Sequence, residues 1–83
     1  SEIADASVDV VLLNPPFHLG SSVHTGAATR LFDAAARILR PGGELFTVYN
    51  SSLGYRAELT RLIGASEQLE RTTKFTVTRS IRR

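Results

Sequence analysis

Cysteine does not occur anywhere in the 83 residues. That excludes a disulfide framework and any thiolate metal site, and it fits a cytoplasmic protein. No run of residues is long and apolar enough to cross a bilayer, and the start of the chain carries no signal-peptide pattern. Internal repeats and low-complexity tracts are also missing, which sets aside solenoids and disordered linkers. A chain this short makes one small domain with a limited core. Acidic residues are absent after Glu70. Residues 71–83 instead hold Arg71, Lys74, Arg79, Arg82 and Arg83, whereas residues 1–70 hold five arginines and all eight acids. The overall charge of +2 therefore hides a basic end. Such an end is either a solvated terminus or a contact for a polyanion such as RNA.

What is present reads as alternating strands and helices. Ser1 to Ser7 is polar and loop-like. Val8 to Leu13 is nearly continuous in apolar residues, as expected of a parallel strand covered on both faces. His18 to Val23 reads as loop, and Thr25 or a neighbour is placed to cap a helix. From Ala27 to Arg40, the apolar positions Ala28, Leu31, Phe32, Ala35 and Ile38 or Leu39 follow the spacing of an amphipathic helix. Pro41-Gly42-Gly43 is expected to end that helix. Glu44 to Asn50 is a second strand, and strand, helix and strand together make a βαβ unit. A short helix over Tyr55 to Ile63 turns Leu59, Leu62 and Ile63 inward, and Gly64 stops it. Ser66 to Glu70 and Lys74 to Ser80 read as an antiparallel hairpin at a sheet edge. The order is β-α-β-α-β-β. An uncovered first strand is a liability, so Val8–Leu13 is expected to offer an edge for dimerisation of the isolated chain.

The chemistry concentrates at Asn14-Pro15-Pro16-Phe17. These residues follow directly on the first strand, and open α/β sheets place their ligands at the C-terminal ends of their strands. Two prolines in a row stiffen the backbone and remove two N–H donors. The carbonyls there are left to accept hydrogen bonds from something else. Asn14 adds a side-chain acceptor and Phe17 a flat face. Oxygen acceptors beside an aromatic plate suit a planar heterocycle bearing an exocyclic amine. The plain alternative is a strand-ending turn with no ligand, since Pro and Asn are frequent turn residues, and Phe17 as cover for the core. His18 is a loop histidine with no visible partner, placed either to touch a substrate or to be solvated. Asn50, Ser51 and Tyr55 follow the second strand. They line a pocket or cap the neighbouring elements, and capping is the simpler reading for Ser51. Arg30 and Arg37 read as solvent-facing helix residues, and no metal-ligating cluster stands out.

Asn14-Pro15-Pro16-Phe17-His18 with Gly20, then Arg40-Pro41-Gly42-Gly43-Glu44-Leu45 and an aromatic strand ending in Asn50, resembles the methyltransferase small family. That family includes bacterial ribosomal RNA guanine-N2 methyltransferases. The resemblance runs from Val8 to Arg79. It implies an α/β chain forming the C-terminal half of a Rossmann-like class I methyltransferase fold, with residues 1–83 as a single partial domain. The family's sheet order is 3-2-1-4-5-7-6, so the four strands here correspond to its strands 4, 5, 6 and 7. The resemblance also implies S-adenosylmethionine as cofactor and ribosomal RNA as partner, with neither metal nor membrane. In that setting Asn14 and Pro15 are the catalytic acceptors. Asn14, Pro15, Pro16, Phe17 and His18 form the substrate-binding set, and Asn14 also touches the cofactor. The family's glycine-rich loop and the acidic residue that holds the cofactor's ribose are not in these 83 residues. Gly42-Gly43 cannot replace that loop, because it precedes a strand instead of opening a helix. The chain alone is therefore expected to bind S-adenosylmethionine weakly or not at all and to be inactive by itself. Adenine-N6 and protein-glutamine methyltransferases use similar motifs and stay open as alternatives, as does a non-catalytic RNA-binding module.

Overall fold

A computed structural model describes residues 3–15 and 26–83. Strand β1 covers Val8–Leu13, helix α1 Gly26–Ile38 and strand β2 Leu39–Asn50. A short 3₁₀ turn over Ser51–Leu53 leads to helix α2, Arg56–Leu62. Strands β3, Ser66–Arg71, and β4, Phe75–Ile81, complete the chain. The sheet order is β1-β2-β4-β3. β1 and β2 are parallel, and the other two pairs are antiparallel. This is the β-α-β-α-β-β order expected from the sequence, with the terminal hairpin inserting its second strand beside β2.

Period-2 alternation divides β2 between two faces. Leu45, Thr47 and Tyr49 are buried, whereas Glu44, Phe46, Val48 and Asn50 are half-buried. Thr76, Thr78 and Ser80 of β4 share the buried face. Ala28, Phe32 and Ala35 of α1 join Leu39, Leu45 and Tyr49 in the core, and Leu59 and Ile63 extend it under α2. Tyr55 closes the aromatic part, its ring edge-on to Phe32 at 5.4 Å and to Tyr49 at 5.3 Å. Thr47 and Thr78 lie directly opposite each other, fully buried, and their hydroxyls have no partner among the described residues.

Three expectations are corrected. First, α1 ends at Ile38 instead of Arg40, and Pro41-Gly42-Gly43 lies inside the extended β2. The glycines are not a helix stop. Gly42 donates its N–H to the Arg82 carbonyl and Gly43 accepts from the Arg82 N–H, so the pair continues the β2–β4 ladder. The β1–β2 register shifts between Val8 and Val10 to absorb the extra residues. A Cβ on Gly43 would come within 2.9 Å of the Arg40 carbonyl oxygen, which explains a glycine there.

Second, β1 is not covered on both faces by the described residues. Val11 and Leu13 pack on the core, but Val10 is 51% exposed and Leu12 77%. Third, three of the five cations of the basic end, Arg79, Arg82 and Arg83, are committed within the fold. Arg82 Nε donates to the Ala36 carbonyl near the end of α1 at 2.8 Å. Arg83 donates to the carbonyls of Thr60 and Arg61 at the end of α2. Both arginines satisfy carbonyls that a helix C-terminus leaves unpaired. Arg79 bridges Glu44 at 2.6 Å and Glu67 at 2.8 Å, and these acids hold its guanidinium firmly protonated.

Candidate active site at the strand ends

The strand directions bring one set of termini together. The C-terminal ends of β1, β2 and β3 and the start of β4 all lie at the same end of the sheet. Asn14 and Pro15 follow the last β1–β2 pair, Leu13 with Thr47. Asn14 is exposed and Pro15 is buried. Among the described residues, nothing hydrogen-bonds to the Asn14 side chain or the Pro15 carbonyl. Pro16, Phe17 and His18, together with the Thr25 cap and the His18 to Val23 segment, lie outside the described residues.

The other residues weighed for this end have structural work. The Asn50 side-chain oxygen accepts from the Ser52 N–H at 2.9 Å and from the Ser52 hydroxyl at 2.7 Å, capping the 3₁₀ turn. Ser51 donates its hydroxyl to the Thr72 carbonyl and pairs with the Thr76 hydroxyl, both at 2.8 Å. Tyr55 belongs to the aromatic cluster with Phe32 and Tyr49. Burial raises the phenol pKa of Tyr49, partly countered by Arg56 and Arg71. Tyr55 is raised by burial and by Glu58. Both rings are thus neutral supports for the core at ordinary pH. An apolar cavity of about 240 Å³ lies between β1 and α1, lined by Val11, Leu13, Leu31 and Ile38 among others, and Asn14 does not line it.

The family model described as "Methyltransferase small domain" matches residues 1–79. The chain belongs to that family. It is 47% identical over its whole length to a ribosomal RNA large subunit methyltransferase G of Streptomyces avermitilis, covering 22% of that protein. It is 46% identical over 80 residues to the protein of the same name from Streptomyces coelicolor, covering 96% of this chain and 21% of that one. Among solved structures, it superposes with a TM-score of 0.82 on a T. thermophilus 16S rRNA N2 methyltransferase in complex with AdoMet and guanosine. That match has 35% identity over 95% of this chain and 21% of the other. The chain thus spans about a fifth of the length of the relatives it matches. The Rossmann-like class I methyltransferase fold expected from the resemblance is the one observed.

S-adenosylmethionine is the cofactor this fold family uses, and the described residues do not fit it as an anchor. The Gly42 N–H and the Gly43 carbonyl are both committed to Arg82 in the β2–β4 ladder. The two glycines offer no nest of free N–H groups. Glu58, the acid in the first turn of α2, accepts a hydrogen bond from the Thr29 hydroxyl. No group of three or more His, Cys, Asp or Glu side chains is placed to hold a metal ion among the described residues. No described helix is long and apolar enough to span a membrane.

Sequence reasoning missed how firmly the β3–β4 turn is held. Thr72 organises that turn, its hydroxyl oxygen accepting from the N–H groups of Lys74 and Phe75. The available signal was Thr72-Thr73 between two strand patterns, a turn chemistry in which a hydroxyl bonds nearby backbone.

Proposed function

We propose that these residues form the substrate-gripping part of a cytoplasmic AdoMet-dependent methyltransferase acting on the exocyclic N2 amine of guanine in ribosomal RNA. They are the C-terminal part of its catalytic domain. The observation that carries this reading is the Asn14 amide: exposed, at the strand end, and unengaged by any described residue. The solved relative captured with guanosine supports guanine over adenine.

The chemical problem is the amine. Its lone pair is delocalised into the purine ring, so it is a poor nucleophile. The Asn14 side-chain oxygen and the Pro15 carbonyl accept hydrogen bonds from its two N–H groups. That holds the nitrogen and draws it toward tetrahedral geometry, which localises the lone pair. The gain comes from positioning and fixed dipoles, with no covalent enzyme intermediate. Phe17 offers a stacking face to a base that has left its helix, and His18 lies beside it in sequence. The methyl donor's anchor is not among the described residues, so no step is assigned to it here.

Substituting Asn14→Ala in the full-length protein tests this reading. The expected loss in methyl transfer is on the order of 10²-fold, as for removal of one preorganised polar group, with RNA affinity retained. Undiminished transfer removes Asn14 from the mechanism. Isothermal titration of the 83-residue chain is expected to show weak or no AdoMet binding, and tight stoichiometric binding contradicts that. The unpaired edge of β1 gives the isolated chain a surface for self-association, and a strict monomer in concentrated sedimentation runs counts against it.

A further inference from the structure

The cations of this chain divide into those already committed and those left over. Arg37, Arg40 and Arg79 face acids. Arg82 and Arg83 hold helix-end carbonyls, and Arg56 donates to the Ser66 carbonyl. Among the described residues, the side chains of Arg30, Arg61, Arg71 and Lys74 have neither ion pair nor hydrogen bond. Arg30 lies on α1, and Arg61 lies at the far end of α2. Arg71 and Lys74 alone sit together, on either side of the β3–β4 turn, and both are exposed.

That turn is at the same end of the sheet as Asn14 and Pro15. β4 is two strands from β1, which at ordinary strand spacing is about 10 Å. The turn is also fixed. Ser51 donates its N–H to the Lys74 carbonyl and its hydroxyl to the Thr72 carbonyl, both at 2.8 Å. The Thr72 N–H donates to the Phe75 carbonyl at 2.7 Å. These bonds pin the turn to the segment after β2. The two cations therefore project from a held backbone. Phe75 stands directly opposite Asn50 and leaves half its surface exposed. An exposed aromatic ring beside two unpaired cations, next to an acceptor site, suits a nucleotide strand: phosphates for the cations and a base for the ring.

We propose that the β3–β4 turn is an RNA-docking edge. Arg71 and Lys74 hold phosphates of nucleotides flanking the target, and Phe75 stacks on a neighbouring unpaired base. The proposal rests on reading the chain as part of an RNA methyltransferase, and it adds the surface that presents the target to Asn14.

The test uses the full-length protein and a guanine-containing single-stranded RNA oligomer, with affinity read by fluorescence anisotropy between 50 and 200 mM salt. The double variant Arg71→Gln with Lys74→Gln is expected to bind on the order of tenfold more weakly. Its plot of log affinity against log salt should be shallower by about 0.7 for each cation removed. Phe75→Ala is expected to lose several-fold in affinity with the salt slope unchanged, because stacking releases no counterions. Arg61→Gln removes one positive charge at the opposite end, as each single substitution at the turn does, and is expected to leave both quantities alone. The proposal is overturned if the double variant keeps wild-type affinity and slope, or if Arg61→Gln loses as much as either of its single substitutions. Because binding is read without methyl transfer, the two readings separate. If Asn14→Ala leaves transfer intact while the double variant still loses RNA, the docking edge stands and the amine grip falls.

Discussion

Removing Arg82 and Arg83 should destabilise the fold without weakening RNA binding. Arg82 places a half-buried, charge-assisted hydrogen bond on the Ala36 carbonyl at 2.8 Å. Arg83 places one on the Thr60 carbonyl at 3.0 Å and another on the Arg61 carbonyl. Each arginine complements the negative end of a helix and satisfies an otherwise unpaired acceptor. In partly exposed settings that is worth about 1–2 kcal/mol per residue. The residues adjoin, and the Arg82 Nη1 also donates to the Arg83 carbonyl. Their losses should therefore not add fully, giving about 2–3 kcal/mol for the double alanine variant. Taken alone, 83 residues have about 4–12 kcal/mol of stability, so this is a substantial share of what they contribute. At about 4–8 °C per kcal/mol for a domain of this size, thermal unfolding followed by circular dichroism should shift down by roughly 10–20 °C. RNA affinity, measured well below the transition, should stay at its wild-type value. An unchanged melting temperature with reduced RNA affinity would refute the assignment and return these arginines to the role of a free basic tail.

Two further outcomes follow from the core. Thr47→Val with Thr78→Val replaces two fully buried, unpartnered hydroxyls by isosteric methyls, so urea unfolding should show a gain of about 1–3 kcal/mol; a clear loss would mean that those hydroxyls bond to something essential. Tyr49 has its pKa raised by burial, so the native state keeps the phenol proton more tightly than the unfolded chain does. That contribution is fully present below pH 10 and is lost as pH rises through the folded-state pKa. Tyr49→Phe should flatten the alkaline limb of the stability curve, and an identical limb contradicts the account.

Much of the architecture was legible because side-chain period is set by local geometry. The i, i+3, i+4 spacing from Ala28 to Ala35 named helix α1 and its buried face, and the pattern from Ser66 to Ser80 named the hairpin. The buried face of β4 was not legible, since the fold buries Thr76 and Thr78 and leaves Phe75 half exposed. What escaped was decided by distant partners. Pro41-Gly42-Gly43 carries helix-stop chemistry, yet the Arg82 backbone draws Gly42 and Gly43 into a strand from forty residues away. A run such as Val8–Leu13 looks covered on both faces, yet Val10 and Leu12 are exposed within these residues. The basic end read as one block of charge because sequence cannot show which arginines meet helix carbonyls. At the site, Asn14 and Pro15 were named from the motif, and the strand end on which they sit is as expected. Pro16, Phe17 and His18 lie outside the described residues, so their roles are proposals. Asn50 caps its turn through Ser52, two residues on, as the sequence allowed, whereas the bonds of Ser51 to Thr72 and Thr76 exist only in the fold.

The central claim is that Asn14 and Pro15 accept hydrogen bonds from the N–H groups of an exocyclic amine. The most direct measurement compares guanosine with inosine, which lacks only that amine, as ligands of the full-length protein and its Asn14→Ala variant. Leaving an acceptor unpaired after the bound base has displaced its water costs about 1–3 kcal/mol. The wild type is therefore predicted to prefer guanosine by on the order of tenfold, and the variant to lose most of that preference. An undiminished preference in the Asn14→Ala variant would contradict the account.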